Sequence, residues 1–229
     1  MFIPKLNEPE KYVISDFINS EFVRLENTEN WIISMAYPEM GMKQAETNCL
    51  VRHEIYELLL SAAKKLPNGI KLKILDAWRP LALQQELFYV YSKKIINDFG
   101  LEKLSEEKRN EFISKFVSLP STDENYPPVH TTGGAIDVTL TDSNGNDLDM
   151  GTCFDDFSEK THTAFFEVSN NNEIKENRRL LYTIMTDAGF TNLPSEWWHY
   201  DFGDHFWAYY KNRPSIYKGV FTAPPVKKI

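Results

Sequence analysis

The chain has 229 residues, 42% hydrophobic and 25% charged, enough for one sizeable domain with its own core and too apolar for disorder. Its formal charge of −8 offers no electrostatic footprint for nucleic acid or an anionic membrane. No run approaches the roughly eighteen apolar residues of a membrane span, and two cysteines are too few for a disulfide framework or a cysteine zinc site.

The opening Met1-Phe2-Ile3-Pro4 turns acidic at Glu8 and does not read as a signal peptide, so the cytoplasm is the expected compartment. Ile55, Leu58, Leu59, Ala62 and Leu66 predict a helix over 49–66, stopped by Pro67-Asn68-Gly69. Ile70, Leu72 and Ile74 alternate with lysines as a half-buried strand that runs into Asp76-Ala77-Trp78-Arg79-Pro80. Pro80 suits the start of a helix over 81–98, whose buried spacing includes Leu83, Leu87 and Tyr91, with Gly100 as its stop. Another amphipathic helix is expected over 105–117, opening on Glu106 and Glu107. After a loop with three prolines, 134–140 reads as a strand with Ala135, Asp137 and Thr139 on one face. A hairpin turn follows over 141–149, then a helix over 176–188 and an aromatic strand over 197–202. Helices early and strands late predict an α+β domain, a single unit over 1–229.

Five histidines narrow the chemistry. His130 precedes Asp137 by seven residues, and Gly133 and Gly134 can bend the chain so that both approach one point. Taken alone, that spacing is better satisfied by a surface histidine in a turn and a hydrogen-bonded hairpin aspartate. Glu196-Trp197-Trp198-His199 taken alone reads as aromatic core with a wet rim. Together the two stretches supply two imidazoles and one carboxylate, the donor set of a catalytic zinc with an open position. Glu196 is then placed as general base, and Arg79, after a strand end, as a fixed cation for an oxyanion. That combination spells metal-assisted amide hydrolysis. Cys153 is expected to be small and buried, His53 solvated, and His162 and His205 outer-layer or surface residues.

Four ordered stretches carry a resemblance: Asp76-Ala77-Trp78-Arg79-Pro80, His130-x-x-Gly133-x-Ala135-x-Asp137, 149–155, and Glu196-Trp197-Trp198-His199-Tyr200 with its tail to Asp204. They resemble the zinc D-Ala-D-Ala dipeptidases, a group that includes the vancomycin-resistance dipeptidase. The resemblance implies a compact α+β domain with an antiparallel sheet carrying the metal, as in the hedgehog domains and zinc D,D-peptidases. It implies one Zn2+ per chain held by His130, Asp137 and His199, Glu196 as base, Arg79 at the tetrahedral intermediate and Asp155 at the substrate's ammonium. The implied activity is hydrolysis of a small D,D-dipeptide. A D,D-carboxypeptidase or peptidoglycan endopeptidase acting on longer peptides, and an inactive zinc-fold binding protein, remain alternatives. The sequence departs from the pattern at Pro128, where a serine is usual, and at Trp78, where tyrosine is usual.

Overall fold

A computed structural model describes residues 2–228. In chain order the elements are β1 (Phe22–Arg24), β2 (Trp31–Ile33), α1 (Ala36–Glu39), β3 (Leu50–Arg52), α2 (His53–Ala63), β4 (Lys71–Asp76), α3 (Leu81–Phe99), α4 (Glu106–Ile113), β5 (Ala135–Thr141), α5 (Asn172–Ala188), β6 (Thr191–Asn192), β7 (His199–Asp201), α6 (His205–Lys211) and β8 (Val226–Lys227). Five strands form a sheet in the order β2-β4-β5-β7-β6, antiparallel throughout except for the parallel β2–β4 pair. A smaller sheet, β3-β1-β8, lies apart from it.

The strand β5 is the axis of the molecule, and all seven of its residues are buried. Alternation gives its two faces different work. Ile136, Val138 and Leu140 share one core with Ile55, Leu59 and Ala62 of α2 and Leu181, Ile184 and Met185 of α5. Each of the valine, leucine, isoleucine and methionine side chains, fully buried, contributes about 1.5–3 kcal/mol. The opposite face presents Ala135, Asp137 and Thr139, and a second apolar cluster from α3 and α4, with Leu83, Leu87, Ile95 and Ile113, lies outside that first core. One face of the strand therefore stabilises the fold, and the other is free to carry polar chemistry.

Several boundaries differ from the sequence reading. The helix expected from residue 49 begins at His53, because Leu50–Arg52 pairs antiparallel with Phe22–Arg24 instead. It ends at Ala63, ahead of the Pro67-Asn68-Gly69 turn. The helix expected from 176 starts at Asn172, where the Asn171 side chain accepts from the Ile174 N–H and caps it. The aromatic strand is shorter than 197–202: Trp197 sends its N–H to the Thr161 carbonyl, and ladder pairing covers only His199–Asp201. Helices do not simply precede strands, since β1, β2 and β3 come before the first long helix. Cys153 is exposed rather than buried, because its loop turns it outward while the neighbouring Phe154 packs inward.

One irregularity positions the site. Between β4 and β5 the register runs Lys73↔Thr139 and Ile74↔Val138, then jumps to Asp76↔Asp137. Leu75 is the extra residue of a β-bulge. Uninterrupted alternation would keep Asp76 on the core face with Leu72 and Ile74. The bulge moves it to the face of Asp137.

Candidate active site

The site is assembled by pairing across the sheet. Asp76, Asp137 and His199 stand side by side on β4, β5 and β7, because Asp137 is the direct register partner of both neighbours. His130 comes from a 3-10 turn over Val129–Thr132, and Gly133, with φ of +75°, ends the turn. A side chain at Gly134 would place its Cβ 2.3 Å from the Phe202 carbonyl oxygen, so this close approach of β5 to the end of β7 requires glycine. Packing this tight folds the chain back and sets His130 over the row. The bend expected from the two glycines is present.

Three side chains converge there. His130 Nε2 lies 3.2 Å from His199 Nδ1 and 3.4 Å from Asp137 Oδ2, and His199 Nδ1 lies 3.0 Å from Asp137 Oδ1. The far nitrogens of both rings are engaged: His130 Nδ1 donates to the Ala77 carbonyl at 2.8 Å, and His199 Nε2 to Asp201 Oδ1 at 2.7 Å. Those outer bonds turn the inner nitrogens into acceptors. An acceptor-only triangle, buried on all three members, calls for a cation at its centre. Ligand atoms of one tetrahedral zinc lie roughly 3.3 Å from one another, and the nearest contacts among the three side chains are of that size, the two to Asp137 running to its two different oxygens.

Around this triangle stand the remaining residues. Arg79 is buried and clamped: Nε donates to Asp76 Oδ2 at 2.9 Å, Nη1 to Gln84 Oε1 at 2.8 Å and Nη2 to the Tyr37 hydroxyl at 3.2 Å. Burial opposes its charge, but Tyr37, Asp76, Asp137 and Asp155 hold it firmly protonated. Its Nη2 is 3.9 Å from Asp137 Oδ2. Glu196 sits in the turn after Pro194, with Oε2 3.9 Å from His199 Nδ1 and about a quarter of its side chain open, 25%. Its low-polarity surroundings push the carboxyl up to about 8, with the Asp137 and Asp155 charges adding to the rise and His199 and Arg79 opposing it.

Asp155 holds a left-handed backbone, φ +56°, which costs a non-glycine residue about 1–2 kcal/mol. The strained turn is secured by the Tyr91 hydroxyl, which donates to Asp155 Oδ2 at 2.7 Å. Burial pushes this carboxyl up to about 6, moderated by the Tyr91 bond and the Arg79 charge. Arg79, His130, Asp137, Asp155, Glu196 and His199 all line one cavity of about 50 Å3. A larger cavity of about 710 Å3, between Arg24, Trp31, Tyr56 and Lys227, contains none of them.

The six residues singled out from sequence are thus brought together. Pro128 also lines the small cavity, presenting a ring where a hydroxyl was the usual group. His53 and His162 are exposed and take no part. His205 is buried, with Nε2 donating to the Pro127 carbonyl at 2.8 Å. Beyond Asp76 and Gln84, which anchor Arg79, three more contributors had no expected role. Asp201 orients His199, and His-x-Asp on one face of a strand was a readable signal for it. Tyr37 and Tyr91 lend their hydroxyls, and Tyr37 also sets its ring against the Arg79 guanidinium, 4.9 Å from the ring centre; hydrophobic spacing assigned Tyr91 to the helix core and gave no hint of its polar tip.

Comparison with known proteins finds similar chains. The family described as Peptidase_M15, D-ala-D-ala dipeptidase, matches residues 39–217. A D-alanyl-D-alanine dipeptidase of Escherichia coli is 46% identical over 68% of this chain and 68% of its own length. One from Synechocystis is 32% identical over 62% of this chain and 64% of its own length, so the match spans slightly under two thirds of that relative. Among solved structures, the vancomycin resistance D,D-pentapeptidase VanY, in complex with Zn(II), is a distant likeness, with a TM-score of 0.42 and 15% identity over 75% of this chain and 85% of that one.

Proposed function

This chain belongs to the D-Ala-D-Ala dipeptidase family, and from that premise we propose that it hydrolyses D-alanyl-D-alanine, or a close D,D-dipeptide, to free amino acids. The observation that carries the reading is the single cavity in which the acceptor triangle, Glu196, Arg79 and Asp155 meet. His130, Asp137 and His199 would hold one zinc ion per chain. When bound, the metal supplies Lewis-acid chemistry, polarising a carbonyl and easing the loss of a proton from water.

The protein's own groups do the rest. Asp155 receives the substrate's ammonium, charge against charge, in a buried setting where such a pair is strong. Glu196 Oε takes the proton from the attacking water and returns it to the leaving amine nitrogen. A carboxyl raised towards neutrality suits both halves of that transfer. Arg79, immobilised by Asp76, Gln84 and Tyr37, offers a preorganised positive charge to the oxyanion of the tetrahedral intermediate. We place this activity in the cytoplasm, where free thiols such as Cys49 and Cys153 persist.

Asp155 favours a dipeptidase over a carboxypeptidase of longer chains, because its carboxylate needs a free amine. Zinc-loaded protein should therefore cleave D-Ala-D-Ala with kcat/KM about 100-fold or more above N-acetyl-D-Ala-D-Ala, the loss expected when a buried charge is left unpaired. Equal rates on the two would transfer the protein to the carboxypeptidase or endopeptidase class. No cleavage of either by a metal-loaded sample would favour a binding role.

The ionisation of Asp155 sets a second expectation. In a non-hydrolysing Glu196→Gln background, affinity for D-Ala-D-Ala should be level above pH 6 and fall as pH drops through about 6, where Asp155 takes up a proton. Tyr91→Phe removes a hydrogen bond that favours the charged carboxylate, so the fall should move to higher pH, by about one unit. Calorimetric titration across pH reads both. A pH-independent affinity in the Tyr91-intact protein would remove Asp155 from ammonium binding.

A further inference from the structure

Next to the 50 Å3 catalytic cavity lies a second one of about 520 Å3. The two share three residues, Asp155, Glu196 and Phe116. Its wall is aromatic: Phe99, Phe112, Phe116, Phe157 and Trp198 all face it. The four phenylalanines lean on one another, and Phe112, Phe116 and Phe157 also back onto the α3–α4 cluster. Phe99 and Phe112 have ring centres 5.1 Å apart, Phe112 and Phe116 5.6 Å, Phe116 and Phe157 5.8 Å. Phe99 is 44% exposed, and Phe112, Phe116 and Phe157 are only partly buried. Apart from Asp155 and Glu196, the charged residues of this cavity, Lys115, Asp156 and Glu159, are exposed. Contiguous half-open aromatic surface of this kind, beside a catalytic centre, marks a site for an apolar group.

Covalent geometry says which group reaches it. In a dipeptide the ammonium nitrogen and the scissile carbonyl carbon are both bonded to one Cα and lie about 2.5 Å apart. With the ammonium on Asp155 and the carbonyl beside Glu196, that Cα is held between two carboxylates that both line the aromatic cavity. A side chain branching from it meets the catalytic cavity, already filled by the reacting atoms, on one side and open aromatic space on the other. We propose that the 520 Å3 cavity is the subsite for the side chain of the dipeptide's N-terminal residue, and that it prefers a large apolar or aromatic group there. The inference rests on the dipeptidase reading above and extends the substrate class to D,D-dipeptides with a bulky first residue.

The test is direct binding to zinc-loaded Glu196→Gln protein, measured by calorimetry with D-Phe-D-Ala, D-Ala-D-Ala and D-Ala-D-Phe, beside turnover of the same three by the unaltered protein. D-Phe-D-Ala should bind at least tenfold more tightly than D-Ala-D-Ala and be turned over with the higher kcat/KM. Phe157→Ala and Phe112→Ala should each lower the ratio of D-Phe-D-Ala to D-Ala-D-Ala affinity several-fold; either variant suffices if the other does not fold. Hydrolysis of D-Ala-D-Ala with rejection of D-Phe-D-Ala, or a preference for D-Ala-D-Phe, overturns the subsite and leaves the dipeptidase reading intact. Binding in the expected order without turnover by the unaltered protein overturns the dipeptidase reading and keeps the subsite. Absence of binding by all three overturns both.

Discussion

Glu196→Gln should lower kcat by about three orders of magnitude while leaving metal content and thermal stability where they were. General acid–base groups contribute typically 10²–10⁴-fold, and amide for carboxylate removes the proton acceptor at constant shape. The side chain stands outside the acceptor triangle, with its oxygen 3.9 Å from His199 Nδ1, so it is not needed to hold a metal. Burial disfavours its ionised form, so losing the charge should not weaken the fold. Steady-state kinetics with metal analysis on the same sample decides the matter. A variant retaining more than a tenth of the wild-type rate would exclude Glu196 as the base.

Zinc itself should raise the melting temperature substantially, and His199→Ala should erase that response. Without a cation, three acceptor side chains, 3.0–3.4 Å apart at their nearest atoms and sealed from solvent, oppose one another, or else must capture a proton. An ion binding only the folded state at about 1,000 times its Kd contributes about 4 kcal/mol, or roughly 10 °C for a chain of this length. The ion also ties together segments far apart in sequence, since 62 residues separate Asp137 from His199 and 69 separate His130 from it. Scanning calorimetry of chelator-treated and zinc-loaded samples is the measurement. Identical melting curves for wild type with and without zinc would show that the triangle is not a metal site.

How much of this was legible depended on how each residue reaches the site. His130, Asp137 and His199 could be read because strand alternation and a pair of glycines state where side chains point. Glu196 falls just outside the strand expected from 197, and an extended strand could not have turned it and His199 to one cleft. Asp76 belonged to a quoted motif, but its place was hidden: alternation from Leu72 and Ile74 points it into the core, and no local pattern announces a bulge. Strands of three residues, such as Phe22–Arg24 and Trp31–Ile33, are too short to show periodicity and exist through pairing partners elsewhere in the chain. Tyr91 escaped for a different reason. A hydrophobic pattern counts the ring, while the site uses the hydroxyl.

The bulge at Leu75 has a consequence for how such a site can be lost or kept over evolutionary time. Opposite Asp137 stands Asp76, the residue that anchors Arg79, and it stands there by residue count rather than by the strand's alternation. Were Leu75 drawn into the ladder opposite Asp137, the strand would still present Leu72 and Ile74 to the core. What changes is phase: Asp76 falls opposite Ile136 on the core face, and the arginine loses its fixed anchor. Substitutions along β4 can therefore drift within the limits of packing, whereas a one-residue slip of register separates a stable protein from a competent one. In this strand the phase of the ladder is what inheritance has to protect.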